Sequence, residues 1–238
     1  MKSFKLMAPV LSMCVVVLAL GYELAASSRN RSANRVPDSS AYTETSRDRG
    51  SKLAASAGSS YRLDAAQSKF IAHAFAGGLF WFKGHEHLVA VREFTGEARL
   101  DPGSLTSSSL DLDAKTSSME ETSSVFTDAQ KKIINKELHD IVLLPDQYPD
   151  IVFRSTRVTG NSIDDLKIAG DLTLNGVTRP ITIPTRVTVT GNDLRAQGEF
   201  SIDRSDFKVK ATSAFHGLVR VRDKLKFSFD IVGHRTSA

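Results

Sequence analysis

From Leu166 onward apolar and polar residues alternate with a period of two, and the alternation breaks only at residues that turn a chain. Leu166, Ile168, Leu172 and Leu174 share one side of a first strand, and Ile181, Ile183, Val187 and Val189 share one side of a second. Thr, Lys, Arg and Asp occupy most of the opposite sides. Asn175-Gly176 stands between the two runs and predicts a tight hairpin, because its two central residues tolerate the positive φ that such a turn needs. Pro180 follows, a residue that only a sheet edge or a bulge accepts. Near the C-terminus Val219 and Val221 alternate with Arg220 and Arg222, Asp223-Lys224 predicts a turn, and Leu225, Phe227, Phe229 and Ile231 resume the alternation. Each strand therefore has one dry face and one wet face.

The same reading places strands near 61–65, 68–76, 89–101, 107–116, 150–159, 165–175, 178–190, 194–203 and 216–233, the last split at Asp223-Lys224. Asp101-Pro102-Gly103, Gly160-Asn161 and Gly191-Asn192 mark further turns. One helix interrupts the strands. Thr127 with Gln130 three residues on makes a capping box, and Phe126, Ala129, Ile133, Ile134 and Leu138 form an apolar stripe at helical spacing. The stripe suits a helix that closes one end of the core or one that serves as a lid. Strands with a single dry face must curl round a shared interior or stack as a sandwich, so the fold class is all-β.

The N-terminal part has a different grammar. Lys2 and Lys5 precede an apolar run from Leu6 to Leu20, and small residues follow at Gly21 and Ala25 to Ser27. Residues 1–26 are therefore expected to be a secretory signal peptide or, uncleaved, an N-terminal anchor; the run is short for a spanning helix. Cys14 lies inside it, after the large Met13 and before Val15 to Leu18, which fits a lipidation site poorly. Without this segment the chain has no cysteine, hence no disulfide and no thiolate chemistry. Residues 27–60 are rich in Ser, Ala and Arg with no helical or strand period, and read as a disordered tether.

Charge follows the same boundary. The net charge of +4 comes from the leader and tether, since residues 61–238 hold twenty-three basic and twenty-three acidic side chains. A neutral folded domain gives no basic face for nucleic acid. The tether's arginines suit a solvated spacer or a contact with anionic lipid. Residues 61–238, with one core's worth of length, form the remaining domain.

Chemistry is sparse along this domain. His85 and His87 are two residues apart and share a face on a strand, so both imidazoles could reach one metal, with His73 or His216 as a third ligand. They could equally donate hydrogen bonds to a pyrophosphate or quinone head group, or simply bond to backbone after Gly84. The run His85 to Val89 has Val where a zinc-protease helix needs its second histidine, and no nucleophile elbow or phosphate-cradling Gly-Lys-Ser/Thr loop is present. Glu120-Glu121 and Asp164-Asp165 are adjacent pairs in predicted turns and read as solvated. The expectation is a protein without catalytic residues or a resident cofactor.

Three ordered motifs carry a resemblance. They are Tyr148-Pro149-Asp150 with Ile151 and Phe153; Gly170 to Thr173 with Gly176 to Pro180; and Arg204-Ser205-Asp206-Phe207. Over roughly 61–234 the chain resembles the YceI-like family of polyisoprenoid-binding proteins. The resemblance implies a lipocalin-like, elongated antiparallel barrel of about eight strands enclosing a hydrophobic tunnel, in a protein exported to the periplasm or beyond; an uncleaved segment 1–26 would tether it to the outer face of the inner membrane. The partner it implies is a long-chain isoprenoid or fatty amphiphile, or an isoprenoid quinone, held for carriage or sequestration. A metal- or quinone-binding redox accessory protein or enzyme using His85 and His87 is the alternative. Membrane association and a homodimer stay open.

On this resemblance the tunnel lining is expected from Phe70, Ala72, Leu79, Phe80, Trp81, Phe82, Phe153, Leu172, Leu174, Ile181, Phe200, Phe227 and Phe229. Head-group candidates are His85, His87, Arg204 and Lys208. Between 73 and 88 the chain departs from the commonest family pattern with an aromatic run and Gly-His-x-His, so Leu79 to Phe82 suit either a plug or a ligand-facing wall. Phe70 and Ala72 are favoured as inward over Ile71 and His73. Arg204 and Asp206 read as a salt-linked corner or a clamp, with Lys208 and Lys210 continuing that side.

Overall fold

Period-two alternation becomes strand wherever its dry side finds something to bury. In the computed structural model, which describes residues 58–78, 84–214 and 219–236, it yields eleven strands among the described residues. These are β1 Ser59–Gly77, β2 His87–Val91, β3 Phe94–Leu100, β4 Ser109–Lys115, β5 Met119–Glu121 and β6 Asp150–Gly160. They continue as β7 Leu166–Leu174, β8 Val177–Thr190, β9 Asp193–Asp203, β10 Ser213–Ala214 and β11 Val219–Arg235, with one α-helix, α1 Asp128–Glu137. Residues 1–57, which hold the expected leader and nearly all of the expected tether, lie outside the described residues.

Eight strands close a ring in the order β1, β3, β4, β6, β7, β8, β9, β11, all antiparallel. The ring is completed where β11 returns to β1, from Tyr61 opposite Arg235 to Gly77 opposite Arg220. Closure leaves the ring no bare edge, and eight strands give an interior just wide enough for side chains or one slender guest. β2 continues the line of β3 beside β1, and β5 pairs with β2.

Two expected breaks turn out to be bulges. The strands at 61–65 and 68–76 run together as β1, with residues 65–68 looped out between the pairs Asp64–Val232 and Lys69–Asp230. Asp64 Oδ1 accepts from the Ala66 and Gln67 amides and holds that loop. The Asp223-Lys224 turn does not form either. Residues 222–224 oppose Phe75 alone, between the pairs Ala74–Leu225 and Ala76–Val221. Both arms of this segment pair with the same neighbour, and the extra residues are absorbed as local twist rather than as a reversal.

At the Asn175-Gly176 hairpin both residues have positive φ, 52° and 71°, as the sequence requires. Pro180 and Pro184 fall in the upper part of β8, whose ladder to β9 covers only Arg186 to Thr190. The missing proline N–H groups therefore sit where β8 has no β9 ladder to supply.

The capping box forms as expected, with Thr127 Oγ1 accepting from the Gln130 amide and Gln130 Oε1 from the Thr127 amide. The apolar stripe is placed differently. Ile133 is 60% exposed and Ala129 is exposed, while Leu138, Val142 and Leu143 pack on the core. α1 runs into a π-helical turn, Leu138–Leu143, whose inserted residue rotates the apolar face, and Leu144 ends it with φ 50°.

The up-and-down course gives the ring two distinct ends. Its base carries the start of β1, the ends of β3, β6, β8 and β11, and the starts of β4, β7 and β9; its rim carries the opposite ends. At the base Tyr61, Leu100, Val158, Leu166 and Leu194 are buried in one cluster, with Leu105 and Ile163 from the loops packed on it. The base is thus filled by the chain itself.

Candidate functional site

Above the base the interior changes character. Phe70, Leu112, Ile151, Ile181, Phe200, Phe227 and Phe229 pack against the core clusters yet each keeps part of its surface exposed. Paired strands shield the backbone of these residues, so their residual surface faces the inside of the ring or its rim. Phe70, Phe200, Phe227 and Phe229 form one aromatic group: Phe200 stacks on Phe227 at 4.9 Å and 10°, and Phe70 meets Phe229 edge-on at 6.4 Å.

Glycines set where these rings can lie. Phe229 pairs with Gly198 across β11 and β9, and a β-carbon at 198 would stand 2.6 Å from its Cζ. A β-carbon at Gly170 would stand 2.5 Å from Phe153 Cζ. Both rings lie flat on a neighbouring strand instead of projecting across the ring, which leaves the interior wider than its large residues suggest.

Among the expected lining residues, Ala72, Phe153, Leu172 and Leu174 are buried in the core clusters, while Phe70, Ile181, Phe200, Phe227 and Phe229 are the ones with open surface. Phe70 and Ala72 face inward; His73 faces outward, with its Nε2 3.0 Å from Ser228 Oγ. Leu79, Phe80, Trp81, Phe82 and His216 lie outside the described residues.

The motif residues meet at one corner of the rim. Thr116 Oγ1 lies 2.7 Å from Tyr148 O and 2.9 Å from Pro149 O, which anchors the Tyr-Pro turn. A β-carbon at Gly176 would stand 2.9 Å from the Tyr148 ring, so the hairpin tip and this turn pack together. Asn175 Nδ2 donates to Phe207 O and Lys208 O, both at 3.2 Å. Residues Arg204–Phe207 form a short 3-10 turn that packs on β8, β9 and β11, with Phe207 only 1% exposed.

Arg204 does not pair with Asp206. It donates through Nη1 to Val209 O, and its Nε lies 3.8 Å from Asp223 Oδ1, while Ser205 donates to Asp223 through both its amide and its hydroxyl. The 3-10 geometry turns Asp206 away and brings the β11 bulge within reach. With these partners Arg204 is a corner brace. Lys208 is exposed with φ 55° and ends the turn.

His87 and His85 occupy another sector of the rim. His87 shares its side of β2 with Val89 and Val91, both buried in the core. Its ring stacks on Phe126 at 5.1 Å and 17°, and His85 meets the same Phe126 edge-on at 5.7 Å. The partner of His87 corrects an expectation. Glu121, read as solvated, is 3% exposed, and its Oε2 lies 2.7 Å from His87 Nδ1. Its Oε1 accepts from the amides of Leu88 and Ser123. Burial pushes the Glu121 carboxyl upward, but these hydrogen bonds, from His87 above all, outweigh it and hold the group below its ordinary value.

The helix is fastened to the same short strand. Glu121 donates its amide to Asn135 Oδ1, and His139 Nε2 lies 2.9 Å from Met119 O. Glu121 was within reach of sequence reasoning: Met119 and Glu121 are two apart and so share a face, and Met119 is the kind of residue that buries. Glu120 keeps the expected exposure and pairs with Arg92. Among the described residues no group of three or more His, Cys, Asp or Glu side chains is placed to hold a metal.

Comparison with known proteins agrees with this architecture. The profile of the YceI-like domain matches residues 61–233. Protein YceI of Escherichia coli O17:K52:H18 is 43% identical over 70 residues, spanning 27% of this chain and 36% of that protein. Protein YceI of Escherichia coli O6:H1 is 29% identical over 162 residues, spanning 65% of this chain and 81% of that protein. Among solved structures, BcnA of Burkholderia cenocepacia superposes with a TM-score of 0.59 at 21% identity, covering 71% of this chain and 98% of BcnA. A polyisoprenoid binding domain from Saccharophagus degradans gives 0.54 at 11% identity, covering 74% and 98%. With the profile matched from the first strand of the closed ring to its last, and the motif residues gathered at one corner of that ring, the chain belongs to the YceI-like family.

Proposed function

We propose that this protein is an exported carrier that holds an isoprenoid or similar long-chain amphiphile inside its barrel, without catalysis. One observation carries the reading: a closed ring packed solid at its base has, above that base, inward aromatic and aliphatic side chains with surface left open. An apolar chain requires nothing of its site but burial free of unpaired polar groups. At about 0.3 kcal/mol per heavy atom, a prenyl chain of about 30 carbons would gain roughly 9 kcal/mol, a submicromolar affinity. The polyisoprenoid binding of the Saccharophagus degradans domain lends support at the level of the shared fold. Export rests on the leader grammar of residues 1–26, and the polar stretch 27–60 would let the barrel stand away from a membrane if the leader is kept.

Native mass spectrometry of the protein purified without detergent tests this reading. The expected result is an apolar adduct of several hundred daltons, removed by organic extraction and restored by a prenyl lipid. A protein that carries no adduct and takes up no prenyl chain overturns it.

A further inference from the structure

The polar groups on the dry face are nearly all satisfied from within the chain. Thr116 Oγ1 is bound to the Tyr148-Pro149 turn, Thr185 Oγ1 to Ile183 O, and the Glu121 carboxylate to His87, Leu88 and Ser123. His87 differs. Its Nδ1 faces a buried carboxylate, which only accepts, so Nδ1 carries the proton. In the neutral ring Nε2 then holds the lone pair, and this nitrogen has no hydrogen-bond partner among the described residues. The side chain is 29% exposed and stands two residues above Val89 on the inward side of β2, where the apolar lining gives way to the rim.

We infer that the polar end of the bound amphiphile is an uncharged hydrogen-bond donor, in the simplest case a hydroxyl, received by His87 Nε2. This rests on the carrier reading above and names the class of head group. A quinone offers only acceptors and leaves Nε2 unmatched. A diphosphate would be placed beside the buried Glu121 carboxylate that already faces this imidazole. Phe126, flat against the ring, restricts its rotation and presents Nε2 in one direction.

Equilibrium binding of four probes of matched chain length tests the assignment at pH 8: a prenyl alcohol, its methyl ether, its diphosphate and squalene. The wild type is expected to bind the alcohol about tenfold tighter than the ether or squalene. His87→Phe, which keeps the stack on Phe126, removes that preference. Glu121→Gln can donate its amide to Nδ1, which moves the ring proton to Nε2 and raises the ether to the level of the alcohol. A purely structural role for the pair would not alter that ratio. Equal wild-type affinity for alcohol and ether, tighter binding of the diphosphate, or an alcohol preference that survives His87→Phe overturns the assignment and leaves the carrier reading standing. Failure of all four probes to bind removes both.

Discussion

The phenyl ring of Phe229 lies on the bare backbone of Gly198, its partner across β11 and β9. A β-carbon at 198 would meet not only that ring but also Pro184 O at 2.3 Å, and a backbone oxygen cannot swing aside. Gly198→Ala is therefore expected to lower stability by about 1–3 kcal/mol, read as a lower urea midpoint at unchanged slope. Because Phe229 must lift toward the interior, the proposed prenyl uptake should fall as well. An alanine variant as stable as the wild type would mean that the strands are not in this contact.

Phe153 and Phe227 separate wall from lining. Phe153, 4% exposed, is packed on every side, and Phe153→Ala is expected to lose about 3–5 kcal/mol. Phe227 faces open interior on part of its surface, so Phe227→Ala should lose only about 1–2 kcal/mol while weakening prenyl binding more than its stability loss suggests. Equal losses in urea titration would indicate that the interior is filled throughout.

Asn175 joins the hairpin tip to the Arg204–Phe207 turn. Asn175→Gly keeps the positive φ but deletes the bonds to Phe207 O and Lys208 O, and should lower stability by about 1–2 kcal/mol. Hydrogen exchange should then accelerate at Lys208 and Val209, whose amides close that turn onto Ser205 O and Arg204 O. A variant with unchanged protection there would leave the corner without this fastening.

His234 holds the base together through charge. Its Nδ1 lies 2.8 Å from Asp193 Oδ1 and its Nε2 3.1 Å from Asp64 Oδ2, which joins β11 to β9 and to the β1 bulge. Hydrogen bonds to Asp193 and then Asp64 raise the imidazole above its ordinary value of 6.5, and the bond from His234 is the main cause that lowers Asp64. The histidine's contribution is complete below its unfolded value and disappears as pH rises through its raised folded value. That of Asp64 is present above 3.8 and disappears as pH falls through its lowered value. The melting temperature of wild type relative to His234→Gln should thus be highest between about pH 4 and 6.5 and converge in alkali. A constant difference across that range would sink the assignment.

The ring itself was legible because alternation is a backbone-level signal: Leu166 to Leu174 and Ile181 to Val189 show their dry sides without help from any distant residue. Bulges were not. At Asp223-Lys224 a turn and a two-residue slip leave the same local pattern, and only the shared partner β1 decides between them. The hairpin residues Asn175-Gly176 announced their own φ angles, whereas the bond from Asn175 to Phe207 depends on a neighbour thirty-two positions away. Glu121 reads as solvated from two adjacent acids alone, while a three-residue strand beside β2 turns it inward. Arg204 found Asp223 instead of Asp206 for a similar reason: spacing along an assumed strand gives the wrong side once the segment coils.

The pairing of β1 with β11 also constrains how the molecule comes into being. The two strands that shut the ring lie at opposite limits of the folded segment, so the container has no inside until residue 235 has been made and brought back to residue 61. Until that moment β1 and β9 each offer a row of unsatisfied amides and carbonyls to any passing strand, and assembly waits on the slowest kind of contact, one between distant parts of the polymer. A copy cut short before Val219 would be a sticky, open curl with nothing to enclose, and a complete copy must find its own beginning before it has an interior at all.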